Sequence, residues 1–342
     1  MPRISPSTIR RAYNISPHAA TLLPATRDLP SALNELRWIQ PEAYTTHLAS
    51  LIKTTPLLGG SGGSPSSPPT TLRVLDLCTG TGCIALLLYS LLRRAVPDLH
   101  VRGIDICPQA VQLARENARY NASRGLLGPS PSPSPSPSSP SSSPSQVQPP
   151  PRQSLAFSQA DIFSDALLED LATPPWQQQQ DRHRRRPWDV MVCNPPYVSH
   201  WGFAHQTARC VRNHEPKLAQ VPMVTYDGGG GGGSCGSGTT AAAYEPEDVF
   251  YARLLDIGAR LRPGVMLFEV GDLEQALRVV DMALGHKGLS GAGAEVRAEV
   301  WRDWPDATPE EGEETLATVC GGSRQVQVRG SGHGRSVLIQ CS

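Results

Sequence analysis

Asn194-Pro195-Pro196-Tyr197 stands at the end of the apolar run Val190-Met191-Val192-Cys193, and its residue types suit methyl transfer to a planar nitrogen. An amide or amino nitrogen is a weak nucleophile because its lone pair is delocalised into the adjoining π system. A site that methylates it must accept hydrogen bonds from its N–H groups and hold it in line with an electrophilic methyl. Asn194 offers a side-chain carbonyl, and Pro195 offers a backbone one. The two prolines fix φ and lack N–H groups, so the turn is rigid and presents acceptors without competing donors. Tyr197 adds an aromatic face on which a flat group can lie. The bland alternative is a strand that simply ends in a proline turn, and these four residues alone leave it open.

A second constellation lies upstream. Asp76, Gly80 and Gly82 form a GxG turn after an apolar strand, and Asp105 ends a second strand 25 residues after Gly80. A carboxylate there can accept both hydroxyls of a ribose, which is what a nucleoside-containing cofactor in a doubly wound sheet requires. No Gly-Lys-Ser/Thr follows, so this is not a Walker-type phosphate cradle. Ala85 occupies the place of a third glycine, and a dinucleotide-dependent dehydrogenase fits the turn about as well. Asp161, at the end of a third strand, could accept from an adenine amino group with Ile162 against the ring face. The competing reading of Asp161 is a helix N-cap or a solvated loop acid.

The elements that must hold these residues follow from hydrophobic pattern. Leu72–Leu77 reads as a buried strand, followed by the glycine turn and a helix over Cys83–Arg94. His100–Asp105 is a second strand, and Pro108–Tyr120 is a helix opened by a proline in its first turn. Ser154–Gln159 and Trp188–Cys193 are the third and fourth strands. Glu247–Leu261 is helical, Gly264–Val270 is a fifth strand and Asp272–Leu284 a helix. Glu295–Trp301 and Ser336–Gln340 supply a terminal antiparallel pair. The βαβ pattern implies a mostly parallel, doubly wound α/β sheet, with the fourth strand beside the first across the switch point. Cofactor turn and acceptor turn then meet.

The chain has 342 residues, 33 of them proline and 31 glycine, concentrated in the tracts Gly59–Pro69, Pro129–Pro151 and Gly228–Gly233. Those tracts read as solvated insertions, leaving roughly 250 residues, ample for one core. Basic and acidic residues balance at 31 each, so the net charge announces neither a nucleic-acid groove nor an anionic membrane surface. The run Arg182-His183-Arg184-Arg185-Arg186 reads as a solvated loop, with contact to RNA as its alternative. The eight cysteines form no CxxC pair and have no histidine partners at zinc spacing, so they are expected as reduced thiols with no metal site. No apolar stretch reaches the ~18 residues of a membrane span. Arg3, Arg10, Arg11 and Arg27 precede the first acid, Asp28, which is transit-peptide composition; an ordinary ragged terminus is the alternative.

Together, Asp76-Leu77-Cys78-Thr79-Gly80-Thr81-Gly82-Cys83, Asp105, Asp161-Ile162-Phe163, Asn194-Pro195-Pro196-Tyr197 and Val211-Arg212-Asn213-His214-Glu215-Pro216 resemble the HemK-like release factor glutamine methyltransferases. The resemblance continues through Phe250–Leu255, Glu269-Val270-Gly271-Asp272, Trp301-Arg302-Asp303-Trp304-Pro305 and Gly334-Arg335-Ser336-Val337, and is nearest to the mitochondrial branch. It implies a class I S-adenosylmethionine-dependent methyltransferase fold, Rossmann-like with a terminal antiparallel strand, and N5-methylation of the glutamine in a release factor's Gly-Gly-Gln motif. It implies S-adenosyl-L-methionine as cofactor, held by Asp76, Thr79, Gly80, Gly82, Asp105, Asp161, Ile162 and Asn194. The resemblance assigns the acceptor glutamine to Asn194, Pro195, Pro196, Tyr197 and Glu215, with Asn194, Pro195 and Tyr197 as the catalytic set.

The chain departs from the family at its N-terminal side. Leu29–Trp38 looks like part of a helical domain, but Ile39-Gln40 runs directly into Pro41-Glu42, all that could remain of a Pro-Arg-Pro-Glu-Thr loop. The expected organisation is a basic, truncated helical segment over residues 1–40 and a methyltransferase domain over 41–342, with insertions near 58–70, 123–151 and 227–240. The expected partner is a release factor, with no membrane, no direct nucleic-acid contact and a monomeric state, in the mitochondrion or alternatively the cytoplasm. Two rival readings remain: a nucleic-acid amino methyltransferase acting at adenine N6 or guanine N2, and a non-catalytic S-adenosylmethionine-binding remnant.

Overall fold

The computed structural model describes residues 5–15, 43–54, 69–127, 153–173, 186–223, 244–290 and 295–341. Two helices come first, α1 (Pro6–Ile15) and α2 (Ala43–Thr54). The alternation then runs β1 (Thr71–Leu77), α3 (Cys83–Leu92), β2 (Asp98–Asp105), α4 (Pro108–Ser123), β3 (Gln153–Gln159), α5 (Asp165–Ala172) and β4 (Val190–Cys193). Two short helices follow, α6 (His200–His205) and α7 (Arg209–His214), then α8 (Val249–Leu261), β5 (Val265–Glu269) and α9 (Leu273–Gly285). The described chain closes with β6 (Val296–Trp304), β7 (Leu316–Val319), β8 (Arg324–Arg329) and β9 (Ser331–Cys341).

These strands form a nine-stranded sheet in the order β3-β2-β1-β4-β5-β9-β6-β8-β7. The first five pair in parallel. β9 inserts antiparallel between β5 and β6. Strand order reverses between β1 and β4, so the fold is the expected doubly wound sheet with its switch point at the carboxyl ends of those two strands.

Period-2 alternation puts two cores on the two faces. Leu72 and Val74 of β1, Val190 and Val192 of β4, and Val265 and Leu267 of β5 pack with α2 and α3 on one face. Leu75, Leu77, Met191, Met266 and Phe268 pack with α8 and α9 on the other. Helix α2 buries Tyr44, Leu48, Ala49 and Ile52, spaced 4, 1 and 3 apart, a stripe that one helical face presents.

The connection between the two terminal strands, to which the hydrophobic pattern assigned no element, contains β7 and β8, a hairpin that extends the sheet along β6. One expectation is corrected. The helix expected from Glu247 begins at Val249, preceded by a 3-10 turn over Pro246–Asp248. Asp248 does not cap it, because its carboxylate accepts from Gln275 and Arg278. Segment 16–42, with Leu29–Trp38 and Pro41-Glu42, lies outside the described residues, as do nearly all of the three low-complexity tracts and Arg182–Arg185. Of residues 123–127, counted above with the Ser/Pro insertion, Ser123 is the last residue of α4 and 124–127 form the turn that follows it. Among the described residues, no helix is long and apolar enough to cross a membrane, and no His/Cys/Asp/Glu group could hold a metal ion.

Candidate active site

Between β1 and α3 the chain turns through three left-handed residues, Cys78, Gly80 and Gly82, at φ of 55°, 55° and 83°. At Gly82 a Cβ would sit 2.9 Å from the Phe157 ring, so only glycine fits both the dihedral and the space. At Gly80 a Cβ would meet nothing within 4 Å, which leaves that side of the loop open. The loop is tied to β2: Gly80 N donates to Asp105 Oδ2 at 2.8 Å and Thr79 N to the Ile104 carbonyl at 2.9 Å. Asp105 Oδ1 accepts from Cys107 N at 2.8 Å. A carboxylate has about four acceptor positions, so each oxygen of Asp105 keeps one for a ribose hydroxyl.

Asp76 lies beneath the loop with no exposure. Its Oδ2 accepts from the Thr79 hydroxyl at 2.6 Å and from Ala85 N at 3.2 Å, while its Oδ1 is buried without a partner. Burial pushes this carboxyl up to about 7; the bonds from Thr79 and Ala85 pull it down, and the nearby Asp105 charge adds to the rise. A buried carboxylate with an orphan oxygen, next to an open glycine loop, fits a ligand ammonium. This is the position that the amino-acid portion of S-adenosylmethionine requires, so the residues present fit that group.

In the parallel ladder Asp76 stands opposite Val192 and Leu77 opposite Cys193. Cys78 and Asn194 therefore leave the sheet side by side, and the glycine loop and the acceptor turn share one edge. Among the described residues, neither the Asn194 side-chain amide nor the Pro195 carbonyl has a hydrogen-bond partner. Pro195 and Pro196 are buried and hold the turn. The Tyr197 hydroxyl donates to Glu269 Oε1 at 3.1 Å, and its carbonyl accepts from Gln275 Nε2 at 3.2 Å. Burial, reinforced by the Glu269 charge, pushes the Tyr197 phenol far up, so it stays neutral and offers its ring. Burial likewise pushes the Cys193 thiol well up, with Cys78 adding to the rise, which removes it as a nucleophile.

The remaining expected residues divide. Asp161 is exposed at the end of β3, and Ala160 N donates to the Asp105 carbonyl at 3.0 Å, so the two acids share an edge. Its Oδ1 accepts from Phe163 N at 2.9 Å, a local turn bond, and Ser164 rather than Asp161 caps α5. Ile162 does not offer a ring face. It is 5% exposed and packs in the core, with its carbonyl held by Arg253 Nε at 2.7 Å. The apolar side chain open at this edge is Ile106, next to Asp105 and 47% exposed. Glu215 accepts from Gln220 Nε2, and the Gln220 carbonyl accepts from Val198 N at 2.8 Å, so Glu215 is tied to the segment just after the acceptor turn.

Sequence reasoning passed over Tyr44, Gln275 and Ile106, and assigned no task to Glu269. An apolar residue directly after the strand-ending acid was a legible signal for Ile106. Nothing in the pattern distinguished Tyr44 from any other residue on the buried stripe of α2.

A family model described as a methyltransferase domain matches residues 70–126, from β1 through α4. The chain is 27% identical over 208 residues to a Schizosaccharomyces pombe protein named probable MRF1 mitochondrial N(5)-glutamine methyltransferase mtq1, covering 60% of this chain and 50% of that one. It is 30% identical over 146 residues to a release factor glutamine methyltransferase of Chlamydia trachomatis, covering 43% and 32%. It is 29% identical over 206 residues to a ribosomal protein uL3 glutamine methyltransferase of Bradyrhizobium diazoefficiens, covering 59% and 45%. The chain thus spans half or less of the length of these relatives. Within that span the sheet order and the shared sequence agree: the chain has the class I S-adenosylmethionine-dependent methyltransferase fold and is a homologue of release factor glutamine methyltransferases.

Proposed function

We propose that this chain methylates N5 of the glutamine side chain in the Gly-Gly-Gln loop of a peptide chain release factor, acting as a monomer in the mitochondrion with S-adenosylmethionine as methyl donor. The observation that carries the proposal is the pairing of two unsatisfied elements on adjacent strands. The orphan Asp76 Oδ1 lies under the β1 loop, and the unpartnered Asn194 amide and Pro195 carbonyl lie on the β4 turn beside it. The mitochondrial assignment is supported by the arginine-bearing first 27 residues and by the name of the S. pombe relative.

When bound, S-adenosylmethionine supplies an electrophilic methyl on a sulfonium. Asp76 would hold its ammonium, with Thr79 fixing the carboxylate. Asp105 would take the ribose hydroxyls, Asp161 would accept from the adenine amino group and Ile106 would offer the apolar surface for the base. Asn194 and the Pro195 carbonyl accept the two amide N–H groups of the glutamine, which fixes its plane and leaves the nitrogen lone pair facing the β1 loop. These acceptors strengthen as positive charge develops on nitrogen, so they stabilise the transition state more than the ground state. Tyr197 and Pro196 wall the amide, and Glu215 shapes the entry. No side chain needs to act as base, because the amide proton leaves to solvent with or after transfer.

The test is incubation of the full chain with methyl-labelled S-adenosylmethionine and, separately, a Gly-Gly-Gln release factor, its Gln→Ala variant, ribosomal protein uL3 and an adenine-containing oligonucleotide. Label on the factor and none on its variant is the expected result. Label only on uL3 or only on the oligonucleotide refutes it, and cofactor binding without transfer makes the chain a binding remnant.

A further inference from the structure

Glu269 ends β5 as a carboxylate only 7% exposed, and two phenols converge on it. The Tyr197 hydroxyl donates to Oε1 and the Tyr44 hydroxyl, reaching across from α2, donates to Oε2. The strand end is fixed around this point: the Tyr251 hydroxyl donates to the Glu269 carbonyl at 2.7 Å, and Val270 N to the Arg335 carbonyl at 2.9 Å. Burial pushes the Glu269 carboxyl up, whereas the Tyr44 hydroxyl, the Arg335 charge and the Tyr197 hydroxyl favour its ionised form. Arg335 in turn donates to Asp303 at 2.9 Å, so the charge cluster is internally compensated.

This arrangement has a use beyond filling the core. The acceptor turn is fixed at its start by the β1–β4 ladder and within by two prolines. Its other end is held by Val198 N, which donates to the Gln220 carbonyl at 2.8 Å, and by Tyr197, whose carbonyl is tied to Gln275 and whose hydroxyl is tied to Glu269, with Arg335 beside it. Of these ties, the Glu269 bond is one that fixes the Tyr197 ring, and it opposes a swing of the turn about β4. Such a swing would displace Asn194 and the Pro195 carbonyl, where about 1 Å of misplacement is enough to cost up to 100-fold in rate.

We propose that Glu269 is a positioning residue for the acceptor amide, acting through Tyr197, and that Tyr44 fixes the geometry of Glu269 by tying it to α2. The inference rests on the methyl-acceptor reading of the Asn-Pro-Pro-Tyr turn. It assigns α2 a role at the acceptor end of the site, although α2 precedes the cofactor loop in the chain.

The test compares wild type with Tyr44→Phe, Tyr197→Phe, Glu269→Gln and the pair Glu269→Gln/Tyr197→Phe. It measures kcat with the release factor, KM for the factor and Kd for S-adenosylmethionine, each well below the melting temperature of the weakest variant. The phenylalanine variants remove one hydroxyl each and keep the packing, so they report even if Glu269→Gln does not fold. Expected are a roughly tenfold fall in kcat for Tyr197→Phe and Glu269→Gln, and a smaller fall for Tyr44→Phe. The double variant should be no worse than the worse single, and cofactor Kd should be unmoved throughout. Wild-type kcat in Tyr197→Phe and Tyr44→Phe overturns the inference, as does multiplication of the single effects in the pair, and so does a parallel loss of cofactor affinity. A wild-type chain that transfers no methyl to the factor overturns the functional reading and this inference together, whereas normal wild-type transfer with silent variants overturns this inference alone.

Discussion

Replacing Asp76 with asparagine should stabilise the cofactor-free chain while abolishing cofactor binding. The side chain is fully buried, its carboxyl is raised from 3.8 to about 7, and Oδ1 has no partner. A rise of about 3 pH units at about 1.4 kcal/mol each corresponds to about 4 kcal/mol of unfavourable ionisation in the folded chain, an upper figure because local relaxation lowers it. The sign follows from proton counts. Between pH 3.8 and about 7 the folded chain keeps a proton at Asp76 that the unfolded chain has lost. Stability therefore falls as pH rises through that window and is flat above it. Asparagine keeps an oxygen for Thr79 and Ala85 and carries no charge, so the variant lacks this slope. Urea unfolding without cofactor, at pH 5, 6, 7 and 8, should give a stability difference between variant and wild type that grows by about 1 kcal/mol per pH unit to pH 7 and then levels. Binding of a ligand ammonium requires the ionised form, so wild-type affinity for S-adenosylmethionine should weaken about tenfold per unit below pH 7. A stability difference independent of pH, or cofactor affinity in Asp76→Asn equal to wild type, refutes the reasoning.

Asn194→Ala should remove roughly 3 kcal/mol of transition-state stabilisation, about 150-fold in kcat, while equilibrium dialysis shows unchanged cofactor affinity. Gly82→Ala places a methyl 2.9 Å from Phe157 at a φ of 83°, and should cost about 3 kcal/mol in chemical denaturation. Iodoacetamide at pH 8 should label the exposed Cys83 within minutes and leave the buried, protonated Cys193 unlabelled until the chain unfolds, as read by peptide mass mapping.

The parallel half of the fold was legible because its central strands β4 and β5 are short, almost wholly apolar runs, and β1 and β2 carry enough apolar positions before a glycine turn or an acid to read the same way. Strands buried on both faces read that way whatever their neighbours do. Asp76, Asp105 and Asn194 were legible for a related reason: each sits where such a run stops. The β7–β8 hairpin was passed over although Arg324-Gln325-Val326-Gln327-Val328-Arg329 alternates with period two, because Val326 and Val328 are the two apolar positions in that run, too few to stand out from loop. Ile162 was misjudged because the residue after a strand-ending acid can face either way. Arg253, 91 residues further on, holds its carbonyl and turns the side chain inward. Tyr44 shows the same limit. A tyrosine on a buried helical stripe looks like core until the strand it reaches, 225 residues away, is placed beside it.

β9 joins the two halves of the sheet, and it is the last described strand to be synthesised. Ser336 must find Glu269, 67 residues earlier, before β5 gains its outer partner. Until residues 331–341 are available, β5 presents the unpaired row of an apolar edge strand, and β6, β8 and β7 have no strand pairing to the parallel half, only side-chain packing against α2 and α9. A nascent chain thus passes through a stage in which its cofactor loop can form while its sheet remains open, the stage most exposed to edge-to-edge association. Closing that edge fixes Glu269 opposite Ser336, so one late event in folding both ends the aggregation hazard and completes the support beneath the acceptor turn.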